Sequence, residues 1–275
     1  MAKKFETSLN LGTPLSDIDQ PLKVVLYGRH GTGKTTAAAE ASSRGPILII
    51  DAEGGLIPQA LAKRGAVPDN ISVWPPRGTR ITAELLADLH RDLAAALADD
   101  PSTFHTIVFD SITEIHHLLR ENASQERISK SRVVVDPDHV DRDDYNKMTT
   151  QLRRLIRLYR DLPCNIVFTA LERVEDSGEI RPALSPALGN DLMGYVDLVG
   201  RVAMHQGQSV ARFQATKQIN AKDRVSIMPE ILARPTLTRL VDITSGKMDL
   251  DADADQLAFL EASAPKEKNP KNVNG

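Results

Sequence analysis

The chain has 275 residues, 41% hydrophobic and 26% charged, with a formal net charge of -3. That is enough length for a substantial core, and the composition is that of a globular chain, in one large domain or two small ones. The charge excludes a chain-wide cationic surface but not a local one, no apolar run is long enough to span a bilayer, and a single cysteine, Cys164, excludes an internal disulfide.

In chain order, residues 1–21 are polar, contain Gly12-Thr13-Pro14 and predict an extended arm. Its one aromatic residue, Phe5, is expected to pack on its own domain or to be disordered, the alternative being a contact on a neighbouring subunit. Met1 to Glu6 has no apolar leader, and with the lone cysteine this makes a cytoplasmic protein the expectation. A core domain is expected over residues 22–248. A flexible tail follows over 249–275, acidic at first, then with a short apolar helix around Leu257–Leu260, then rich in Lys, Asn and Pro.

Val24 to Tyr27 is a predicted buried strand. Directly after it, Gly28-Arg29-His30-Gly31-Thr32-Gly33-Lys34-Thr35 matches G-x-x-x-x-G-K-[ST], and Thr36 to Ala41 is a predicted helix. This strand–loop–helix order is the context in which the pattern becomes a phosphate-binding loop. Glycines let the backbone turn its N–H groups toward phosphate oxygens, and the helix start adds partial positive charge there. Lys34 supplies an ammonium for the β- and γ-phosphates, Thr35 a hydroxyl for Mg²⁺, and Gly28 to Thr36 together form the predicted nucleoside-triphosphate site.

Ile47 to Ile50 is an apolar run delivering Asp51 and Glu53 to the C-terminal edge of a parallel sheet, where ligands of open α/β folds bind. A short helix over Leu56–Arg64 and a strand over Asn70–Trp74 follow. A helix over Ile81–Ala98 is marked by Ile81, Leu85, Leu89, Leu93 and Leu97. Thr106 to Asp110 is an apolar strand ending in Asp, the Walker B pattern. Asp110 is expected to hold Mg²⁺ through water, and Ser111 to bond toward phosphate or cap the next helix.

After a helix over Ile112–Asn122, periodicity is lost across Ala123–Asp144. Asp136, Asp138, His139 and Asp141 there fit no standard metal-ligand spacing and are expected to be solvated; His116 and His117 are expected at a helix surface or core edge. A long helix carries Tyr145, Met148, Leu152, Leu155, Ile156, Tyr159 and Leu162 on one face and several arginines elsewhere. Cys164, before the strand Asn165–Thr169, reads as a small core-edge residue rather than a nucleophile. Arg173 to Leu188 is predicted to be a polar loop or a hairpin with Ser177-Gly178 at its tip. Val196–Met204 and Ser209–Thr216 form a second hairpin, followed by the cations Lys217, Lys222 and Arg224.

This order resembles the RecA/RadA recombinase ATPase core over roughly Leu22–Ile227. The closest local likeness is Ile49-Ile50-Asp51-Ala52-Glu53 followed by Gly65-Ala66-Val67-Pro68-Asp69-Asn70. With no large extra domains, the chain looks most like the short phage-encoded RecA-like (Sak-type) recombinases and single-strand annealing ATPases. The fold expected is a mostly parallel, twisted sheet with helices on both faces and a C-terminal antiparallel hairpin extension. The resemblance makes Glu53 the general base or water-orienting group, against the alternative that it caps the Leu56 helix. The polar sensor, usually glutamine or asparagine in the family, falls on Thr169, with Glu172 second. It places the nucleotide between subunits of a ring or filament, with Lys217, Lys222 and Arg224 completing the neighbour's site. DNA-gripping loops would correspond to Ala123–Asp144, with Arg127, Lys130 and Arg132, and to Arg173–Leu188, with Arg173 and Arg181. Neither loop has a Phe, Tyr or Trp, so base stacking is not expected.

The expected activity is thus Mg²⁺-dependent ATP hydrolysis by an oligomer on single-stranded DNA, promoting annealing or strand exchange, with the tail a candidate contact for a single-strand-binding protein. A helicase or helicase-loading motor on the same core is the second expectation, and a nucleotide-switched interaction module the third.

Overall fold

The computed structural model describes residues 20–130 and 142–263. Strands are β1 (Lys23–Gly28), β2 (Ile47–Asp51), β3 (Ile71–Trp74), β4 (Thr106–Asp110), β5 (Asn165–Val174), β6 (Ile180–Pro182), β7 (Leu198–His205), β8 (Gln208–Arg212), β9 (Lys222–Asp223) and β10 (Leu232–Ala233). Helices are α1 (Lys34–Ala39), α2 (Pro58–Ala62), α3 (Ala83–Asp99), α4 (Ile112–Lys130), α5 (Arg142–Arg160), α6 (Pro186–Tyr195), α7 (Leu237–Thr244) and α8 (Ala254–Ser263).

The central strands are apolar on consecutive positions because both faces of the sheet are covered. Val25, Tyr27, Leu48, Ile50, Ile107, Phe109, Ile166 and Phe168 point to one face, packed by α3, α4, α5 and α6. Val24, Leu26, Ile47, Ile49, Val108 and Val167 point to the other, packed by α1, Leu61 of α2, and α7. The sheet order is β10-β8-β7-β1-β5-β4-β2-β3. From β7 to β3 every neighbouring pair is parallel, while β8 and β10 add an antiparallel extension. This is an α/β fold with a mostly parallel central sheet, helices on both faces and a C-terminal antiparallel hairpin. β5 lies between the P-loop strand β1 and the Asp110 strand β4, so the end of β5 opens between them.

Several elements differ from expectation. On α3 the buried leucines are Leu86, Leu93 and Leu97, and Leu85 is 37% exposed. A strict four-residue step overshoots a turn of 3.6 residues, so such a series drifts off one face. Helix α4 continues past Asn122 to Lys130, and α5 begins at Arg142. Arg127 on the extension pairs with Asp144 of α5 at 2.7 Å. The supposed loop Ala123–Asp144 is therefore helical at both ends, and its Asp136, Asp138, His139 and Asp141 lie outside the described residues, as does Phe5.

Two helices fall where none was expected, α6 and α7. Residues 249–263, expected as the start of a flexible tail, pack on the sheet edge. Gln256 is buried, accepting from the Ala233 N–H at 3.0 Å and donating to the Ile231 carbonyl at 2.9 Å. The backbone of edge strand β10 is thereby occupied by a side chain of α8. Cys164 is buried and its thiol is pushed up to about 11 by burial, which fits an inert core-edge residue. Burial pulls His116 down to about 4, so it is neutral near pH 7. No helix of the described residues is long and apolar enough to cross a membrane.

Candidate functional site

The predicted phosphate loop turns from β1 into α1 at the C-terminal edge of the sheet. Gly33 at the helix start has φ +94°, a backbone state that glycine alone adopts freely. Gly28 is needed for a different reason: a Cβ there would stand 2.1 Å from the Val202 carbonyl oxygen of β7. Ser209 of β8 donates to the Thr32 carbonyl at 2.9 Å, and the Thr32 hydroxyl donates to the Arg29 carbonyl at 3.0 Å. The loop is thus braced from outside by β7 and β8. Lys34 is buried beneath it, its ammonium donating to the Gly28 and Arg29 carbonyls at 3.0 and 2.8 Å. Burial lowers its pKa, against the opposing pull of Glu53, Asp110 and Glu172. His30 and Gly31 are exposed at the tip, and Thr35 and Thr36 face the cavity beside it.

Asp110 is the centre of the arrangement. The Thr35 hydroxyl lies 3.0 and 2.9 Å from its two carboxylate oxygens, and Thr169 at the inserted strand β5 donates to Oδ1 at 2.5 Å. Burial pushes the Asp110 carboxyl above the ordinary range; the two hydroxyls oppose that, and the charges of Glu53 and Asp51 reinforce it. The backbone of Asp110 matters too: its carbonyl accepts from the Ala52 and Glu53 N–H groups at 2.8 and 3.4 Å. Glu53 is exposed at the cavity with Lys34, Thr35 and Asp110. Helix α2 starts at Pro58 with Ile57 as its cap residue and no side-chain cap, so Glu53 does not cap it. Ser111 does cap a helix, its hydroxyl accepting from the Glu114 N–H at 3.3 Å.

The residues present fit a magnesium–triphosphate ligand. A cavity of about 240 Å³ is lined by His30, Gly31, Gly33, Lys34, Thr35, Thr36, Glu53, Arg64, Asp110 and Leu171. Among the described residues no cluster of three His, Cys, Asp or Glu forms a metal cage. Magnesium bound with phosphates needs no such cage, because one carboxylate, a hydroxyl, waters and phosphate oxygens complete its shell. A buried carboxylate raised by desolvation, with two further carboxylates near it, is electrostatically suited to a dication. Thr35 and Asp110 are the residues that would hold it, and when bound it neutralises charge on the β- and γ-phosphate oxygens.

Glu172, the second sensor candidate, is engaged otherwise. Its side chain is 5% exposed and lies between Arg29 of the P-loop and Arg201 of β7, at 3.0 and 2.9 Å. Burial pushes its carboxyl up, but Arg201 and Arg29 together outweigh that and hold it below the usual carboxylate range. Beyond Glu172, β5 runs past the sheet edge into a hairpin with β6. Arg173 and Arg181 stand there, both paired with Glu175, at 2.6 and 2.5 Å. Of the other expected DNA contacts, Arg127 pairs with Asp144 on the helices, and Arg132 and the side chain of Lys130 lie outside the described residues.

The cations after the second hairpin do not act as a group. Lys217 is exposed in a turn next to the β5–β6 hairpin, where Ile219 bridges to Ile180. Lys222 and Asp223 pair with the beginning of β7, at the sheet edge opposite the P-loop. There the Lys222 ammonium donates to the carbonyls of Met193 and Val196, at 2.9 and 2.7 Å, and Arg224 pairs with Asp197 at 2.9 Å. Two of the three expected cations are therefore engaged within their own chain.

Arg64, Arg201 and Ser209 are site residues that no sequence motif marks. Ser209 reaches the P-loop, and Arg201 reaches Glu172, only because β7 and β8 fold beside β1, a pairing with no local signature. The sequence model of a family described as AAA domain matches residues 20–225. No curated protein matches the chain.

Proposed function

The chain belongs to the AAA domain family and is a P-loop NTPase, and from that premise we propose an Mg²⁺-dependent ATPase that works as an oligomer on single-stranded DNA, promoting annealing or strand exchange. The observation that supports this most is the course of β5. Thr169 bonds to Asp110 at the phosphate cavity, Glu172 holds the P-loop through Arg29, and the next residue, Arg173, begins the hairpin on which Arg173 and Arg181 stand among Glu175, Asp176 and Glu179. One strand thus runs from the nucleotide to the surface proposed to grip a phosphate backbone. A change in phosphate occupancy has a short mechanical route outward, and DNA bound at the hairpin has the same route inward.

In this proposal Glu53 polarises the attacking water, Lys34 and the P-loop amides bind the phosphates, and Thr169 fixes the orientation of Asp110. Lys217 is the cation best placed to serve a neighbouring subunit, being exposed beside the hairpin. The deciding experiment is ATP hydrolysis with and without single-stranded DNA, across protein concentration and at two salt levels. Salt-sensitive stimulation by DNA with steep concentration dependence is expected. Hydrolysis indifferent to DNA would remove the hairpin as a grip and leave a nucleotide-switched interaction module.

A further inference from the structure

A second cavity, of about 360 Å³, adjoins the phosphate cavity beside the start of α1. Its walls come from Gly33, Thr36 and Ala37 of α1 and its lead-in, Lys63 and Arg64 after α2, Gly207 to Ser209 at the β7–β8 turn, and Arg234 to Thr236 before α7. The two cavities have three lining residues in common, Gly33, Thr36 and Arg64, of which only Arg64 is charged.

The backbone under Arg64 is fixed while its head group is not. Leu61 and Ala66 on either side are buried, the Arg64 and Ala66 N–H groups both bond to the Leu61 carbonyl, and Gly65 closes the turn at φ +96°. Ser42 ties the following segment down, accepting from the Val67 N–H and the Asn70 side chain at 2.8 Å each. The Arg64 side chain is exposed and makes no ion pair among the described residues. By contrast, Arg234 across the same cavity is committed to Asp255 at 2.8 Å.

We infer that Arg64 is a nucleotide-binding residue supplied by the chain itself, clamping the phosphate chain where it leaves the P-loop for the nucleoside, with the nucleoside in the larger cavity. This rests on the P-loop assignment and adds a contact to it. The electrostatics favour it: Asp110 and Glu53 already set two negative charges against Lys34 in the phosphate cavity. A triphosphate therefore gains from a further cation at its open side, and a guanidinium pairs with phosphate through two parallel hydrogen bonds. The position beside Gly33 and Thr36 puts the contact on the α/β side, because the P-loop amides there cradle those phosphates and Lys34 reaches onward to the γ.

The test is binding of fluorescently labelled ATP and ADP, with Mg²⁺, to the full chain carrying Arg64→Gln or Arg64→Lys, folding being checked by circular dichroism. Arg64→Gln is expected to weaken both nucleotides alike, by about 10- to 100-fold, the range for losing a charged hydrogen bond. Arg64→Lys is expected to recover part of the loss. Unchanged binding by a folded Arg64→Gln protein overturns the inference while leaving the P-loop assignment standing. A loss confined to ATP overturns the placement, since it would put the guanidinium at the γ-phosphate. Failure of the wild-type chain to bind either nucleotide sinks both.

Discussion

Thr169 donates its hydroxyl to Asp110 at 2.5 Å, with the Phe109 carbonyl of the same strand at 3.2 Å. The residue proposed as sensor on β5 is thus bonded to the carboxylate that would hold the metal. Thr169→Val keeps the shape and removes the donor, so hydrolysis should fall by about 10- to 100-fold, while nucleotide affinity changes by no more than about threefold. Thr169→Ser should restore most of the rate. Steady-state kinetics beside equilibrium binding make the comparison, and equal losses in rate and affinity would count against an orienting role.

Asp110 links function to stability with a definite sign. Its folded pKa lies above the unfolded one, so the folded chain holds the proton more tightly and stability falls as pH rises through the raised value. At neutral pH the ionised group therefore costs stability. In nucleotide-free protein, Asp110→Asn should melt at a higher temperature than wild type near pH 7. The gap should shrink as pH is lowered through the Asp110 titration. The same variant should lose Mg²⁺-dependent hydrolysis by about 10²-fold or more. A lower melting temperature at pH 7 would contradict the assigned direction.

Glu53→Gln removes the proposed base while keeping the size of the side chain. Hydrolysis is expected to drop by about 10²- to 10⁴-fold, the usual worth of a general base, with nucleotide affinity nearly unchanged. Single-turnover assays are the measurement, and a residual rate above about a third of wild type would reassign the base.

Glu175 masks the hairpin cations, since Arg173 and Arg181 both pair with it. If these arginines contact DNA phosphates, Glu175→Gln should tighten single-stranded DNA binding and steepen its salt dependence. Anisotropy titrations at several salt concentrations would read both. Weaker or unaltered binding argues that the hairpin is not the grip.

Gly28 and Gly178 separate two kinds of glycine. At Gly28 an added methyl meets the Val202 backbone oxygen inside the sheet, where neither strand can give way, and Gly28→Ala should cost roughly 3 kcal/mol or more. Gly178 has φ +81° at a hairpin tip with open space around it, so Gly178→Ala should cost about 1–2 kcal/mol, the left-handed backbone alone. Urea unfolding curves would rank them, and a reversed order would refute the packing argument.

The parallel strands and the P-loop were legible because each is written in a short continuous stretch: an apolar run for a strand buried on both faces, glycines and Lys34 for the loop. What escaped depended on distant partners. Helix α6 starts with Pro186, a good first-turn residue, yet Gly189, Asn190 and Gly194 weaken any local helix signal, and it forms by burying Leu188 and Leu192 in the core. The far end of α4 looks like charged loop until Asp144 of α5 is set opposite Arg127. Lys222 looked like a free cation because sequence does not show the helix end whose carbonyls it serves. Arg64 ends the short helix expected over Leu56–Arg64, and nothing local distinguishes it from Lys63. Only the meeting of two cavities does.

The bonds from the Asp110 carbonyl to the Ala52 and Glu53 amides carry a further implication. In the proposed mechanism one residue would set the place of the metal with its carboxylate and the place of the base with its main chain. The spacing between those two chemical centres is therefore written into peptide geometry. Substitutions at position 110 can retune or silence the metal end without disturbing the base, so the two halves of the reaction are separable by mutation although they share an anchor.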